Sequence, residues 1–190
     1  FLVNGHAGEN YMLSRDEKRR VLDISRSTVS DETVLVCGVN AESTLEAVAH
    51  AKDIEAAGGD AILVFPPNSW ALSVTQEMAI AHHMAIIEAT DLSVFLYQAP
   101  VLTGTMAYSQ DILEALVALP RVVAIKEGSW EVATYEANRR LVKKCAPSVA
   151  VMASGDEHLL TSYVLGSEGS LVSLAIIVPE LIVSLDTAVR

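Results

Sequence analysis

Val122-Val123-Ala124-Ile125-Lys126-Glu127-Gly128 reads as a buried strand that ends in a charge. Four apolar residues in a row, three of them β-branched, suit a strand covered on both faces. A lysine follows at the strand's C-terminal end, then a carboxylate and a glycine turn. Lysine is seldom buried without a use. Loss of water disfavours the ammonium and frees the amine as a nucleophile. The plainer reading is a lysine that caps the strand and reaches solvent with its head. The rest of the chain decides between them.

Outward from this stretch the same unit recurs. Candidate strands are Phe1–Asn4, Val34–Gly38, Ala61–Phe65, Ser93–Tyr97, Val122–Lys126, Val149–Ala153 and Ser170–Leu174. Their starts are about 30 residues apart, the size of a strand with its crossover helix. Helices are predicted between them, over 14–29, 43–57, 73–89, 109–118, 130–144, 157–165 and 179–190. Ser14 with Glu17 and Ser43 with Glu46 have capping-box spacing, and helices stop near Gly58-Gly59 and before Pro120 and Pro147. Seven βα units point to a (β/α)8 TIM barrel short of one unit, or to a doubly wound open sheet. The first strand is followed by no GxGxxG, which counts against the dinucleotide-binding form of the open sheet. The chain opens on an apolar run, Phe1-Leu2-Val3, and closes within an amphipathic one, so residues 1–190 are expected to be a single barrel domain, incomplete at both ends.

Composition narrows the function. Hydrophobic residues make up 51% of the 190 residues and aromatics 5%, so the core is built of Ala, Val, Leu and Ile. A net charge of -11 argues against nucleic acid and against anionic membrane surfaces. An anionic substrate must then be held by local donors. Cys37 and Cys145 have no CxxC or metal spacing, which suggests a reducing, cytoplasmic setting. No apolar run is long enough for a membrane span.

In a barrel the chemistry gathers at the C-terminal ends of the strands. Here those ends are Asn4-Gly5-His6-Ala7-Gly8-Glu9, Gly38-Val39-Asn40, Phe65-Pro66-Pro67, Tyr97-Gln98, Lys126-Glu127-Gly128, Ser154-Gly155-Asp156 and Leu174-Ala175. Tyr97 and Lys126 end consecutive strands, so a phenol and an amine can face one small space. A lysine amine that attacks a 2-oxo group gives an imine, and a nearby phenol can move the protons. The glycine-loosened turn at residues 5–8 offers backbone N–H groups to a carboxylate. Glu9 is read as holding that turn by accepting backbone hydrogen bonds. His6 is a proton carrier, a donor to substrate, or a support behind the site. Asp156-Glu157-His158 has the wrong spacing for metal ligands on one helical face, and Asp156 is read as a helix N-cap. His50, His82 and His83 fall in helices, on the surface or in helix packing. Trp70 and Trp130 wall a pocket or simply pack.

Five motifs occur in order: Gly5-His6-Ala7-Gly8-Glu9, Leu63-Val64-Phe65-Pro66-Pro67, Phe95-Leu96-Tyr97-Gln98-Ala99-Pro100 with Thr103-Gly104, Ile125-Lys126-Glu127, and Ser154-Gly155-Asp156. Together they resemble the dihydrodipicolinate synthase/N-acetylneuraminate lyase family of pyruvate-dependent class I aldolases, across essentially the whole chain. The resemblance implies a barrel without its first βα unit and C-terminal helices. It implies that Lys126 forms the imine with pyruvate or another 2-oxo acid and that Tyr97 is the general acid/base. It implies that Gly5, His6, Ala7 and Gly8 hold the substrate carboxylate, and that Gly155 and the backbone near Leu171 line the pocket. No cofactor and no metal are expected. The partners expected are a 2-oxo acid, an aldehyde, and further copies in a homodimer or homotetramer.

The chain also departs from the family pattern. His6 and Ala7 stand where the family usually carries hydroxyls, and Asn68-Ser69-Trp70 where it commonly has tyrosines. Leu102 stands where the synthase branch has an arginine, and Ile176 in place of an asparagine. These departures point away from a true dihydrodipicolinate synthase. They point toward a lyase or aldolase on a different 2-oxo acid, with a hydratase or dehydratase on the same imine, or a non-catalytic 2-oxo-acid-binding barrel, as alternatives.

Overall fold

The apolar strand bodies pair in chain order. In a computed structural model, which describes residues 1–190, seven parallel strands form one curled sheet. They are β1 (Leu2–Val3), β2 (Val36–Val39), β3 (Ala61–Val64), β4 (Ser93–Gln98), β5 (Val122–Glu127), β6 (Ala150–Ala153) and β7 (Gly169–Ser170). Each strand neighbours the next in sequence, from β1 through β7. A doubly wound sheet reverses its strand order at a switch point; this sheet has none, so the open-sheet alternative falls and the barrel architecture stands. Every residue of β2 and β3 is buried, as near-continuous apolar runs require.

Seven α-helices follow the strands: α1 (Arg15–Thr28), α2 (Thr44–Ala56), α3 (Gln76–Glu88), α4 (Gln110–Val117), α5 (Val132–Cys145), α6 (Leu159–Val164) and α7 (Pro179–Val189). Ser14 and Glu17 form the full capping box of α1. Ser43 accepts from the Glu46 amide at the start of α2, without the reciprocal bond. The expected helix over 73–89 starts later because Thr75 caps it, accepting from the Met78 amide. The one over 130–144 starts later because Trp130 has φ 59, outside helical space. The helix expected over 157–165 splits into a 3-10 turn at Asp156–His158 and α6.

The last strand is a larger correction. The apolar run Ser170–Leu174 is strand only at its first residue, and Ser173–Ile176 is a 3-10 turn. The cause is the partner: β6 ends at Ala153, which pairs with Ser170, and the Leu171 amide makes the final bond to the Ala153 carbonyl.

Two packing details place the site. The first is register. Val94 pairs with Val122, but Phe95 pairs with Ala124, so Val123 is an extra residue on β5. From there Tyr97 lies opposite Lys126 and Gln98 opposite Glu127. The second is the buried Glu127. Its carboxylate accepts from Asn138 Nδ2 on α5 at 2.9 Å and from Ser129 Oγ at 3.0 Å. Burial pushes its pKa up, and those hydrogen bonds oppose the shift. Gln110 Nε2 on α4 in turn donates to Asn138 Oδ1.

β1 and β2 approach closely at Gly38, where an added Cβ would lie 1.9 Å from the Asn4 carbonyl oxygen and 3.0 Å from Phe65 Cε2. Gly38→Ala is therefore expected to destabilise the fold by about 3 kcal/mol or more, read as a lower urea midpoint, since rigid backbone must move. Asn138→Leu removes one partner of a buried carboxyl and is expected to cost about 2–3 kcal/mol in the same measurement.

Candidate active site

Parallel pairing brings the ends of β1, β3, β4 and β5 together. Tyr97 is buried, and Lys126 Nζ lies 5.6 Å from the centre of its ring. The side chains share one face because their residues are in register. Gly128 lets the phenol approach: a Cβ there would meet Tyr97 Cε2 at 3.1 Å and its hydroxyl at 3.3 Å.

His6 joins them. Its ring stacks on Phe65 with centroids 3.9 Å apart and meets Tyr97 edge-on at 5.2 Å. Phe65 and Tyr97 are also in edge contact, at 4.8 Å. His6 Nε2 is 3.2 Å from Asn40 Nδ2 at the end of β2. The 3-10 turn at His6–Gly8 is closed by the Gly8 amide donating to the Gly5 carbonyl. As at any helix start, the first amides, those of His6 and Ala7, have no partner within the turn.

Burial sets the electrostatics. Desolvation lowers the Lys126 pKa to about 8, and the charge of Asp156 opposes the shift. Burial, helped by Glu127, raises Tyr97 to about 12, so the phenol holds its proton. Burial, helped by Lys126, lowers His6 to about 4, so its ring is neutral at pH 7. The three groups facing one another are thus an amine with substantial free-base character, a protonated phenol and a neutral imidazole. An amine poised this way suits nucleophilic attack on a carbonyl carbon, with the phenol as proton donor.

The remaining expected residues are distributed differently. Ala7 and Gly8 follow His6 on the exposed side of the turn. Gly155 precedes the 3-10 turn at Asp156–His158, and a Cβ on it would touch Trp130 Cδ1 at 3.5 Å and His158 at 3.8 Å. Leu171 is half-buried, with its amide held by Ala153. Glu9 is exposed and in left-handed backbone, and its carboxylate holds nothing in the turn. Two asparagines hold it instead: Asn10 Nδ2 donates to the Asn4 carbonyl, and Asn4 Nδ2 to the Lys18 carbonyl. Asp156 is not an N-cap of α6; its carboxylate accepts from the Leu174 amide at 3.2 Å. His50, His82 and His83 are buried in helix packing, not on the surface. Trp70 packs against His82, while Trp130 is 58% exposed. The Asn68 and Ser69 amides bind the Glu42 carboxylate, and Leu102 is 98% exposed.

Sequence reasoning assigned no role to Phe65 or Asn40. Both stand at strand ends, which is the signal that marks them.

Comparison with known proteins agrees with the fold. The profile of the Dihydrodipicolinate synthetase family matches residues 1–190. The 4-hydroxy-tetrahydrodipicolinate synthase of Clostridium perfringens is 28% identical over 179 residues, 94% of this chain and 60% of the relative. A probable mitochondrial 4-hydroxy-2-oxoglutarate aldolase of Emericella nidulans is 26% identical over 183 residues, 94% of this chain and 58% of the relative. The crystal structure of a chloride-inhibited dihydrodipicolinate synthase from Acinetobacter baumannii, complexed with pyruvate, superposes with a TM-score of 0.87 at 28% identity. It covers 99% of this chain and 62% of that one. The chain thus spans about 60% of the length of the curated relatives it matches. By its profile match over every residue and by its barrel sheet, the chain belongs to the dihydrodipicolinate synthetase family.

Proposed function

We propose that this chain carries the Schiff-base site of a class I lyase/aldolase acting on pyruvate or another 2-oxo acid, with Lys126 as nucleophile and Tyr97 as general acid/base. The observation that carries the reading is the in-register pair: a desolvated amine 5.6 Å from the centre of a protonated phenol's ring. At pH 7.5 an amine of pKa about 8 is free base in about a quarter of the molecules, against about one in a thousand at the ordinary lysine value.

The amine attacks C2 of the 2-oxo acid, and Tyr97 gives its proton to the carbonyl oxygen. The carbinolamine loses water and leaves a protonated imine. That imine withdraws electrons from C3, so loss of a C3 proton gives an enamine whose C3 adds to an aldehyde as the aldehyde oxygen takes up a proton. In the cleavage direction the C3–C4 bond breaks, the aldehyde leaves, and the enamine takes a proton at C3 before hydrolysis returns the pyruvate. The turn at Gly5, His6, Ala7 and Gly8 is assigned to the substrate carboxylate, and Gly155 and Leu171 to the far wall. No cofactor is needed for these steps. The working form is read as a homodimer or homotetramer.

Cleavage of a 2-oxo acid other than the dihydrodipicolinate precursor is the finer reading. Leu102 is the support for it: an exposed apolar side chain where a synthase would place an arginine for its second substrate. The Emericella relative, named as a probable 4-hydroxy-2-oxoglutarate aldolase, is consistent with that direction.

Borohydride with pyruvate is expected to leave one reduced adduct, mapped by peptide mass to Lys126 and absent in Lys126→Ala. An equal adduct in that variant would sink the imine role. Adduct formation is expected to rise about tenfold per pH unit below pH 8 and to level off above it, because only the unprotonated amine attacks. Tyr97→Phe is expected to slow pyruvate release from 4-hydroxy-2-oxo acids by about a hundredfold to a thousandfold, with the fold intact by circular dichroism.

A further inference from the structure

Gly5, Ala7 and Gly8 carry no polar side chain, so His6 is the one residue of that turn with a side-chain donor. Its ring is fixed by contact, stacked on Phe65 and edge-on to Tyr97. Its Nε2 faces Nδ2 of Asn40, whose side chain is buried. Donation from that amide nitrogen matches the neutral tautomer in which Nε2 accepts and Nδ1 carries the proton. Nδ1 has no protein partner and is not wholly buried. The structure therefore presents an imidazole fixed against the rings of Phe65 and Tyr97, with Nδ1 unpaired.

We propose that Asn40 is a positioning residue that locks His6 in the neutral Nδ1–H tautomer, so that His6 donates a hydrogen bond to the carboxylate of the bound 2-oxo acid. The identity of the ligand rests on the Schiff-base reading; the tautomer does not. A neutral donor has a physical advantage here. A hydrogen bond to a carboxylate is strong because the acceptor is charged. An imidazolium at the same place would oppose the positive imine that forms on Lys126. His6 is neutral well above pH 4, with Lys126 contributing to that shift. His6 would then supply the donor that Ala7, lacking a hydroxyl, does not.

Long-range 1H–15N spectra of the full 190-residue chain labelled at histidine nitrogen report the tautomer of each of the five histidines, and His6→Phe assigns the signal. The expected result is a protonated Nδ1 and a bare Nε2 for His6. In Asn40→Asp a carboxylate faces Nε2, and the proton is expected to move there. The pyruvate concentration for half-maximal borohydride trapping is then expected to rise about tenfold, the loss of one hydrogen bond to a charged group, with maximal trapping changed less than about twofold. His6→Phe keeps the stacking and is expected to show the same rise, which preserves the test if Asn40→Asp folds poorly. A wild-type His6 protonated on Nε2 overturns the proposal, even if pyruvate is trapped normally. An unchanged half-maximal concentration in both variants overturns the carboxylate role. Absence of any pyruvate adduct in the wild type overturns the Schiff-base reading and the carboxylate role with it, while the spectrum still decides the tautomer.

Discussion

β5 carries one residue more than β4 between their first and second paired positions, at Val123. Because side chains alternate along a strand, a one-residue slip exchanges the two faces. Without the extra residue Lys126 would stand opposite Gln98, and Tyr97 would face Ile125. With it, amine and phenol come to the same level and the same face. Glu127, the next residue, is turned the other way, into the packing between β5 and α5, where Asn138 and Ser129 satisfy it. Alternation along β5 sends the two adjacent residues to opposite faces, and the one irregularity in the ladder sets the lysine on the face of the phenol and the glutamate toward structure.

The surroundings then determine what the amine can do. Lys126 belongs to none of the ion pairs in the structure, and the Asp156 charge only opposes its desolvation. The groups around it are aromatic or neutral: Tyr97, His6 and Phe65 pack ring on ring. This is how a chain of net charge -11 keeps a lysine from being held as a paired ammonium. The backbone around the site is correspondingly taut. Asn4 and Trp130, at the end of β1 and just past the end of β5, have φ 51 and 59. Asparagine tolerates that region, but tryptophan pays about 1 kcal/mol or more for it, a strain of the kind found where function fixes a loop.

The repeating strands and helices were legible because apolar runs about 30 residues apart are a local signal. Tyr97 and Lys126 were legible as strand-end residues that can face one small space, but the register that sets them opposite was not, since the Val123 bulge reflects how two strands fit. The run Ser170–Leu174 misled because Leu171, Val172 and Leu174 give it the apolar content of a strand, while the partner strand had already ended at Ala153. Glu9 misled for a related reason: a carboxylate after a glycine turn looks like a brace, yet Asn10 and Asn4 occupy that role from buried positions. The contact between His6 and Asn40 spans 34 residues and required the sheet to bring it about.

Attack by Lys126 depends on a substantial minority of its amine being unprotonated near neutral pH, far more than an ordinary lysine offers. A titration followed by NMR of protein labelled with 13C at lysine Cε measures this directly, with Lys126→Ala assigning the signal. The Lys126 resonance is expected to titrate with a midpoint near pH 8. A midpoint at the ordinary lysine value of about 10.4 would show an ammonium in contact with water and would contradict it.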